Sequence, residues 1–275
     1  MEERRKTLQS GRKMNKLKYY LKIWWMMSKN AFLMVLSQRL GFSIFLIGKL
    51  VRFFFLYIFL VFLLKGTGSL AGYDSKQIIF FFLTFYFIDS VSQFLYREVY
   101  RFRPQVVSGS FDMTLTKPIS ALFRSLAGGA DVIDLTFIPI ILFALTSVGI
   151  SLHPTFISVI LYVFLIVNSL MIATAFHIAI LATGILTLEI DNMTMIYRDL
   201  ITLGRFPIEI YKQPLRAAIT YIIPLGIMFT FPGKALINAL SWKGILISLV
   251  VGILAIYLSK AFWRYSLKRY TSASS

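Results

Sequence analysis

The sequence has 275 residues, of which 57% are hydrophobic and only 15% are charged. Soluble domains carry about 25% charged residues, and here 26 Phe and 14 Tyr in long apolar runs replace the missing charge. Only a bilayer solvates such runs without aggregation, so composition excludes a soluble domain, a disordered chain and a secreted disulfide scaffold. The absence of cysteine also excludes zinc-thiolate and iron–sulfur sites.

The net charge of +17 comes from 29 Lys and Arg against 12 Asp and Glu. These basic residues flank apolar segments and do not form a face with interleaved aromatic side chains, so we expect no nucleic-acid partner. They favour a polytopic membrane protein whose basic helix ends meet anionic lipid on the cytosolic side. The predicted class is therefore an all-α polytopic protein of the plasma (cytoplasmic) membrane.

Residues 1–41 are predicted to form a basic tail and then an amphipathic helix. They hold ten basic residues and two acidic ones. From Lys16 onward apolar residues recur at helical spacing, with lysines between them and a Trp24-Trp25 pair that suits a membrane interface. We interpret this segment as an interfacial helix on the membrane; a cytosolic helix bound to a partner is the alternative.

Six membrane-spanning helices are predicted within residues 42–265, followed by a cytosolic tail of residues 266–275. The apolar runs cover residues 42–64, 77–96, 131–150, 155–188, a weaker segment at 189–204, and 242–263. Both termini, Met1 and Ser275, are then expected in the cytosol, because the N-terminal segment, the loop 97–129 and the C-terminal end are the basic ones.

Two segments interrupt this pattern. The loop 97–129 is long, basic and rich in apolar positions, which indicates a structured and functional cytosolic loop. The region 205–240 is apolar but broken by prolines, which predicts a re-entrant segment at the outer membrane face. Four basic residues near this segment run against the positive-inside rule; they are Lys212, Arg216, Lys234 and Lys243.

Several polar residues fall inside the predicted spans, where charge is costly. Lys49 and Arg52 share one face of the first span, Asp89 lies in the second and His177 in the fourth. A polar pathway is one interpretation; snorkelling lysine and arginine and an interhelical hydrogen bond from the histidine are the alternatives. Asp131 and Asp134 begin the third span and are predicted to cap that helix.

No catalytic motif is present. The chain has no phosphate-binding loop, no H-E-x-x-H and no G-x-S-x-G sequence. We therefore expect a non-catalytic membrane subunit with no catalytic residues, metal or cofactor of its own.

Two sequence motifs carry a resemblance to a known family. The loop contains VSGSFDMTLTKPIS, which fits the pattern Gly-x-Phe/Leu-Asp-x-x-Leu-x-(Lys/Arg)-Pro. The residues that fit the pattern are Gly109, Phe111, Asp112, Leu115, Lys117 and Pro118. The second motif is GRFPIEIY from Gly204, followed by Ile223-Pro224 and Phe231-Pro232. From about Lys16 the chain resembles the permease subunit of ABC-2 type exporters, in a branch of bacterial six-span permeases.

The resemblance implies a pathway formed by a dimer of permeases, the same or different, and driven by a separate ATPase subunit that binds ATP and Mg²⁺. It implies that the motif residues of the loop, with Arg124, couple the permease to that ATPase. It also implies an outer gate built on the prolines of the re-entrant segment, namely Pro207, Pro214, Pro224 and Pro232. The alternatives are a channel or proton-coupled carrier that works alone through Lys49, Arg52, Asp89 and His177, and a structural scaffold. The cargo is not implied.

Overall fold

The computed structural model describes residues 16–271, nearly all of them in helices. Met1 and Ser275, and with them the predicted basic tail through Asn15 and the predicted cytosolic placement of both termini, lie outside the described residues. The α-helices are α1 Lys16–Ser37, α2 Arg39–Thr67, α3 Ser75–Tyr96, α4 Phe102–Val107, α5 Phe111–Leu115, α6 Ala121–Ala127, α7 Val132–Ser151, α8 Phe156–Thr187, α9 Ile190–Thr202, α10 Leu215–Ala217, α11 Phe231–Leu236 and α12 Trp242–Lys268.

Shorter elements join these helices. Three 3₁₀-helices cover Arg97–Arg101, Leu203–Arg205 and Ile208–Ile210, and two π-helices cover Ala218–Ile222 and Gly226–Thr230. Between α2 and α3, strands β1 (Ser69–Leu70) and β2 (Tyr73–Asp74) pair in an antiparallel turn.

Among the described residues, five helices are long and apolar enough to cross a membrane: α2, α3, α7, α8 and α12. The predicted all-α polytopic membrane fold is confirmed. Helix α8 has 32 residues, about 48 Å at 1.5 Å per residue, so it extends beyond the hydrocarbon core of about 30 Å.

Side-chain contacts between helices set their directions. Thr84 lies 3.2 Å from Tyr162, and Tyr96, twelve residues further along α3, lies 2.5 Å from Thr174, twelve residues further along α8, so the two helices run parallel. Asn168 donates to Ser248 at 3.0 Å, and further along both helices Phe176 and Phe262 line one cavity, so α12 runs parallel to α8. We call the end of the bundle that carries residues 68–74 the turn end, and the end that carries residues 97–129 the loop end.

Helix starts follow local capping chemistry. The Asp74 carboxylate accepts the backbone N–H of Gln77, and Gln77 returns the bond in a capping box. The Asp131 carboxylate accepts the N–H of Ile133 at 2.8 Å, as predicted for a cap. Asp134 lies in the first turn of α7, as predicted, where its charge meets the positive end of the helix, and it also pairs with Lys49 of α2.

The weak segment 189–204 is not a continuous apolar span. It forms the 13-residue amphipathic helix α9, which is too short to cross alone. Its first turn lies at the loop end, where Asp191 pairs with Arg103 at 3.5 Å. The chain then rises past Tyr197 until Glu209 reaches the turn end beside Tyr73. A helix followed by irregular backbone thus runs from one end of the bundle to the other.

The region 215–236 folds as two half-helices with a 77° bend between them. Arg216 near its start and Lys234 near its finish both bind Glu209, at 3.3 Å and 3.0 Å. The bend at Pro224 lies deeper, beside Phe176 of α8 and Phe262 of α12. Both limbs therefore open at the turn end, which is the geometry of a re-entrant hairpin.

Candidate functional site

The loop 97–129 is a folded unit at the loop end of the bundle. A 3₁₀-helix continues α3 without a break, and α4, α5 and α6 follow in short turns. All seven residues predicted for coupling lie in this unit. Gly109 ends α4 with a φ of 71°, a left-handed conformation that favours glycine and turns the chain into α5.

A single glutamate holds the loop together. Glu98 is 6% exposed, and its carboxylate binds Arg124 at 2.7 Å and Gln105 at 3.1 Å. Arg101 lies 3.9 Å from the other carboxylate oxygen. Arg124, which the resemblance assigns to coupling, thus has its partner inside the loop.

Phe111 anchors the loop to the membrane helices. Its side chain is fully buried, and its ring lies 5.0 Å from Phe102, 5.2 Å from Tyr270 and 6.4 Å from Trp263. Burial, with the neighbouring Asp112 carboxylate, raises the pKa of Tyr270 to about 12. Phe111 and Asp112 therefore face the end of α12 and not the surrounding solvent.

The outward side of the loop is different in character. Val107, Met113 and Leu115 are exposed apolar residues, and Met113 is 69% exposed. Lys117 and Pro118 continue this outward side. We call Val107, Met113, Leu115 and Lys117 the loop surface.

Helix α1 packs beneath the loop. The Tyr19 hydroxyl donates to the Pro118 carbonyl at 3.2 Å, and the Tyr20 ring lies 4.8 Å from Phe123. Trp25 remains 61% exposed, and exposed lysines lie on the same outward side; these are Lys18, Lys22 and Lys29. The predicted amphipathic helix is present, with one face on the loop and a basic apolar face outside.

Three of the four predicted polar residues lie on α2 and the facing helix α3, with Arg52 on the exposed side of α2. Lys49 pairs with Asp134 and lies 5.0 Å from the Phe137 ring centre. Lys49 and Arg52 are both electrostatic neighbours of Asp89, whose Oδ1 is buried without a hydrogen bond among the described residues.

His177 lies apart from this group. It is fully buried, with Nδ1 2.8 Å from the Ala173 carbonyl oxygen. The rings of Tyr96 and Tyr197 enclose it at 5.0 Å and 4.8 Å. The Ala173 bond lies within α8 itself, and Nε2 has no hydrogen-bond partner among the described residues. The structure therefore shows aromatic packing around His177 and not the interhelical hydrogen bond that was one alternative.

The four predicted gate prolines occupy distinct places along the re-entrant region. Pro207 is buried before the 3₁₀-helix 208–210, Pro214 is exposed before α10, Pro224 lies at the bend, and Pro232 is in the first turn of α11. Two of the basic residues that run against the positive-inside rule, Arg216 and Lys234, share the single carboxylate of Glu209.

Glu209 also affects the turn between α2 and α3. Burial, and then the Glu209 charge, raise the pKa of Tyr73 to about 12. The re-entrant region and the 68–74 turn are thus in electrostatic contact at the same end of the bundle.

Four residues were not singled out from the sequence. They are Glu98 of the loop, Glu209 of the re-entrant region, Arg198 of α9 and Arg205 of the 3₁₀-helix after α9. Glu98 was one of only two acids in the loop, and Glu209 is the one acid between Arg205 and Lys212. An isolated acid among several basic residues was the signal that both glutamates carried.

A family profile described as "ABC-2 family transporter protein" matches residues 50–274. The chain belongs to the ABC-2 transporter family. Neither curated proteins nor solved structures show a match to the chain. An ABC-2 permease is the membrane component of a transporter and is generally non-catalytic. The match begins within α2, so it includes the loop and the re-entrant region of this ABC-2 protein but leaves α1 outside.

Proposed function

We propose that this ABC-2 family protein is the permease subunit of an exporter, with its loop end in the cytosol. A separate ATPase subunit, which binds ATP and Mg²⁺, drives it through the loop surface. The observation that carries this proposal is the contrast within one loop. Glu98 and Phe111 fix it internally, while Met113 and Leu115 stay exposed beyond the membrane helices. Exposed apolar residues on an ordered loop suit a protein partner.

The loop is connected so that its displacement moves several membrane helices together. It continues α3 directly, since residues 75–107 form one helical run. Phe111 links it to Trp263 near the end of α12, and Pro118 links it to Tyr19 of α1. Coupling requires such contiguous packed contacts between the site of force and the element that moves.

The outward face of α9 is an argument for a second permease subunit. Arg198 and Asp199 are exposed there, although Tyr197 of the same turn packs on His177 within the bundle. Charged side chains at membrane depth face protein or water and not lipid. A second copy or a different permease therefore covers this face, with the pathway between the two subunits.

A double substitution on the loop surface tests the coupling role. Met113→Glu with Leu115→Glu removes two apolar contacts worth about 1.5–3 kcal/mol each, so ATPase binding falls at least about 100-fold and export stops. The measurement is co-purification of the ATPase with the permease, together with export activity. Met113→Leu with Leu115→Met is the matched control and retains both. Normal binding and export by the glutamate variant would show that the loop merely lies on the membrane.

Cysteine labelling tests the orientation, because the chain contains no cysteine. Ser69→Cys in the turn is expected to react with a membrane-impermeant maleimide in intact cells. Ser108→Cys in the loop is expected to react only after permeabilisation. The reverse pattern would place the loop outside the cell and contradict the proposal.

A further inference from the structure

Helix α1 has two faces of different composition. Ser28 and Ala31, which are buried, lie on the face towards the bundle. Lys18, Lys22 and Lys29 lie on the opposite face, within about 40° of one another at 3.6 residues per turn. All three lysines are exposed. We call these three lysines the basic stripe.

No acidic group of the described chain neutralises the basic stripe. Helix α1 contains four lysines and neither aspartate nor glutamate. None of the three lysines of the stripe forms an ion pair with another residue of the range 16–271. Unpaired ammonium groups along one face of a helix are complementary to an anionic surface.

The residues around the basic stripe indicate that this surface is a membrane. Leu21, Trp25 and Leu33 are more than half exposed, and lysine mixed with exposed tryptophan and leucine is typical of a helix in a membrane interface. Only Gln38 separates α1 from α2, which is long and apolar enough to cross the bilayer. The exposed apolar surface continues into α2 at Leu40. The C-terminal end of α1 is therefore held at the membrane surface, and its outward face meets lipid head groups.

The inward face of α1 fits closely against the loop and the residue that follows it. Ser28 Oγ accepts the backbone N–H of Ala130 at 3.3 Å. Ala31 lies against Gly129, where an added Cβ would be only 3.1 Å from the Ala31 Cβ. Since Tyr19 binds the loop near the other end of the helix, α1 contacts the loop along most of its length.

We propose that the basic stripe of α1 binds the head groups of anionic lipids in the leaflet at the loop end, and that this binding holds the loop in the position that the ATPase recognises. The lysine stems lie along the apolar surface of the helix while their ammonium groups reach the lipid phosphates. Because the opposite face of α1 carries the loop, a displacement of α1 from the membrane surface also displaces the loop. The lipid site stands on the geometry of α1 alone, and its effect on the ATPase rests on the proposed function.

The lipid preference of the full chain provides the first test. Met26→Cys, at an exposed position of α1, carries a donor fluorophore at a single site, because the chain has no cysteine. Energy transfer is compared for phosphatidylglycerol and phosphatidylcholine, each labelled on an acyl chain and present as a trace in phosphatidylcholine vesicles. Phosphatidylglycerol is expected to be enriched about fivefold beside α1, the factor for one lysine and one anionic lipid, and less at high salt.

Removing the basic stripe is expected to abolish this preference. The variant combines Lys18→Gln, Lys22→Gln and Lys29→Gln. The matched control changes three exposed basic residues in the part of α12 nearest to the loop end and leaves the preference unchanged: Lys260→Gln, Arg264→Gln and Lys268→Gln.

Two results would overturn the lipid site. One is equal energy transfer to both lipids in the unsubstituted chain, or the same preference in the stripe variant. The other is loss of ATPase attachment by the stripe variant in lipid-free detergent micelles, which would assign the lysines to the ATPase.

Ala31→Leu separates lipid binding from its effect on the loop. This variant keeps the basic stripe but adds three carbon atoms where α1 approaches Gly129 most closely. It is expected to retain the lipid preference and to lose the fit of α1 to the loop. ATP-driven export is measured in phosphatidylcholine vesicles with and without phosphatidylglycerol.

Export by the unsubstituted complex is expected to increase with phosphatidylglycerol by up to about fivefold, while the stripe variant and Ala31→Leu do not respond. Equal export in both kinds of vesicle, with the lipid preference intact, would overturn the effect on the loop. Undisturbed ATPase attachment in the glutamate variant of the loop surface, together with a lysine-dependent lipid preference, would overturn only the proposed coupling.

Discussion

At both ends of the bundle, one glutamate with two basic partners holds an irregular segment in place. At the loop end, Glu98 joins Arg124 and Arg101; at the turn end, Glu209 joins Arg216 and Lys234. In each case one shielded carboxylate gathers an irregular stretch of chain that has no long helix to order it. A glutamate with two basic partners is thus a means of fixing backbone that ordinary helix packing leaves free.

The two ends differ in what supports the ion pairs. At the loop end the ion pairs and the aromatic contacts of Phe111 stabilise the loop together. The basic side chains of these pairs are 30–39% exposed. At the turn end Arg216 is likewise 39% exposed. The difference lies in Lys234, which is only 19% exposed, and in the second oxygen of Glu209, which is buried without a hydrogen bond among the described residues. Charge should therefore matter more in the hairpin and aromatic packing more in the loop.

Phe111→Ala tests the packing half of this comparison and has the largest expected effect. Removing a fully buried ring leaves a cavity between Phe102, Trp263 and Tyr270 and costs about 3–5 kcal/mol of unfolding free energy. Denaturant unfolding in mixed micelles measures this loss. Met113→Ala, at the exposed residue two positions on, is the control and costs about 0.5 kcal/mol or less. Equal small losses in both variants would show that the ring is no anchor.

The burial of Phe111 also shows where sequence reasoning reached its limit. The motif located the residue correctly within a structured loop. Its partners Trp263 and Tyr270 lie about 150 residues further along the chain, and no local pattern states which way a ring points. The long helices were predictable because a bilayer imposes a local length and polarity requirement on each of them.

Asp134 and Arg198 illustrate the same limit for charged residues. A carboxylate in the first turn of a helix fits a cap from sequence alone, but Asp134 has a partner 85 residues away in Lys49. Arg198 belongs to the segment with the weakest apolar signal, and its exposed position depends on how α9 docks through Tyr197 against His177. Local sequence patterns predict individual helices. They do not predict which charged residues of two different helices pair, because that depends on how the helices pack together.

Glu209→Gln tests the electrostatic half of the comparison. Two basic side chains lose their counter-charge in a shielded region, which is expected to cost about 3 kcal/mol. The same micelle unfolding experiment measures it, with Glu189→Gln at an exposed acid as the control. Adding Lys234→Met to Glu209→Gln should recover part of the loss, because it removes one of the orphaned charges. No recovery would mean that Glu209 acts through its hydrogen bonds and not through its charge.

Glu98→Gln has the smallest expected effect and sharpens the contrast most. Glutamine keeps the shape of the side chain and one acceptor oxygen, and the arginines around it retain access to water, so the expected loss is about 1–2 kcal/mol. Added salt should diminish the difference between Glu98→Gln and wild type, because water-accessible pairs are screened, while the difference for Glu209→Gln should persist. The measurement is the unfolding free energy of each variant at about 0.05 and 0.5 M salt. If both glutamates responded to salt alike, the two ends would be equally shielded, and the Phe111 contacts alone would distinguish the loop from the hairpin.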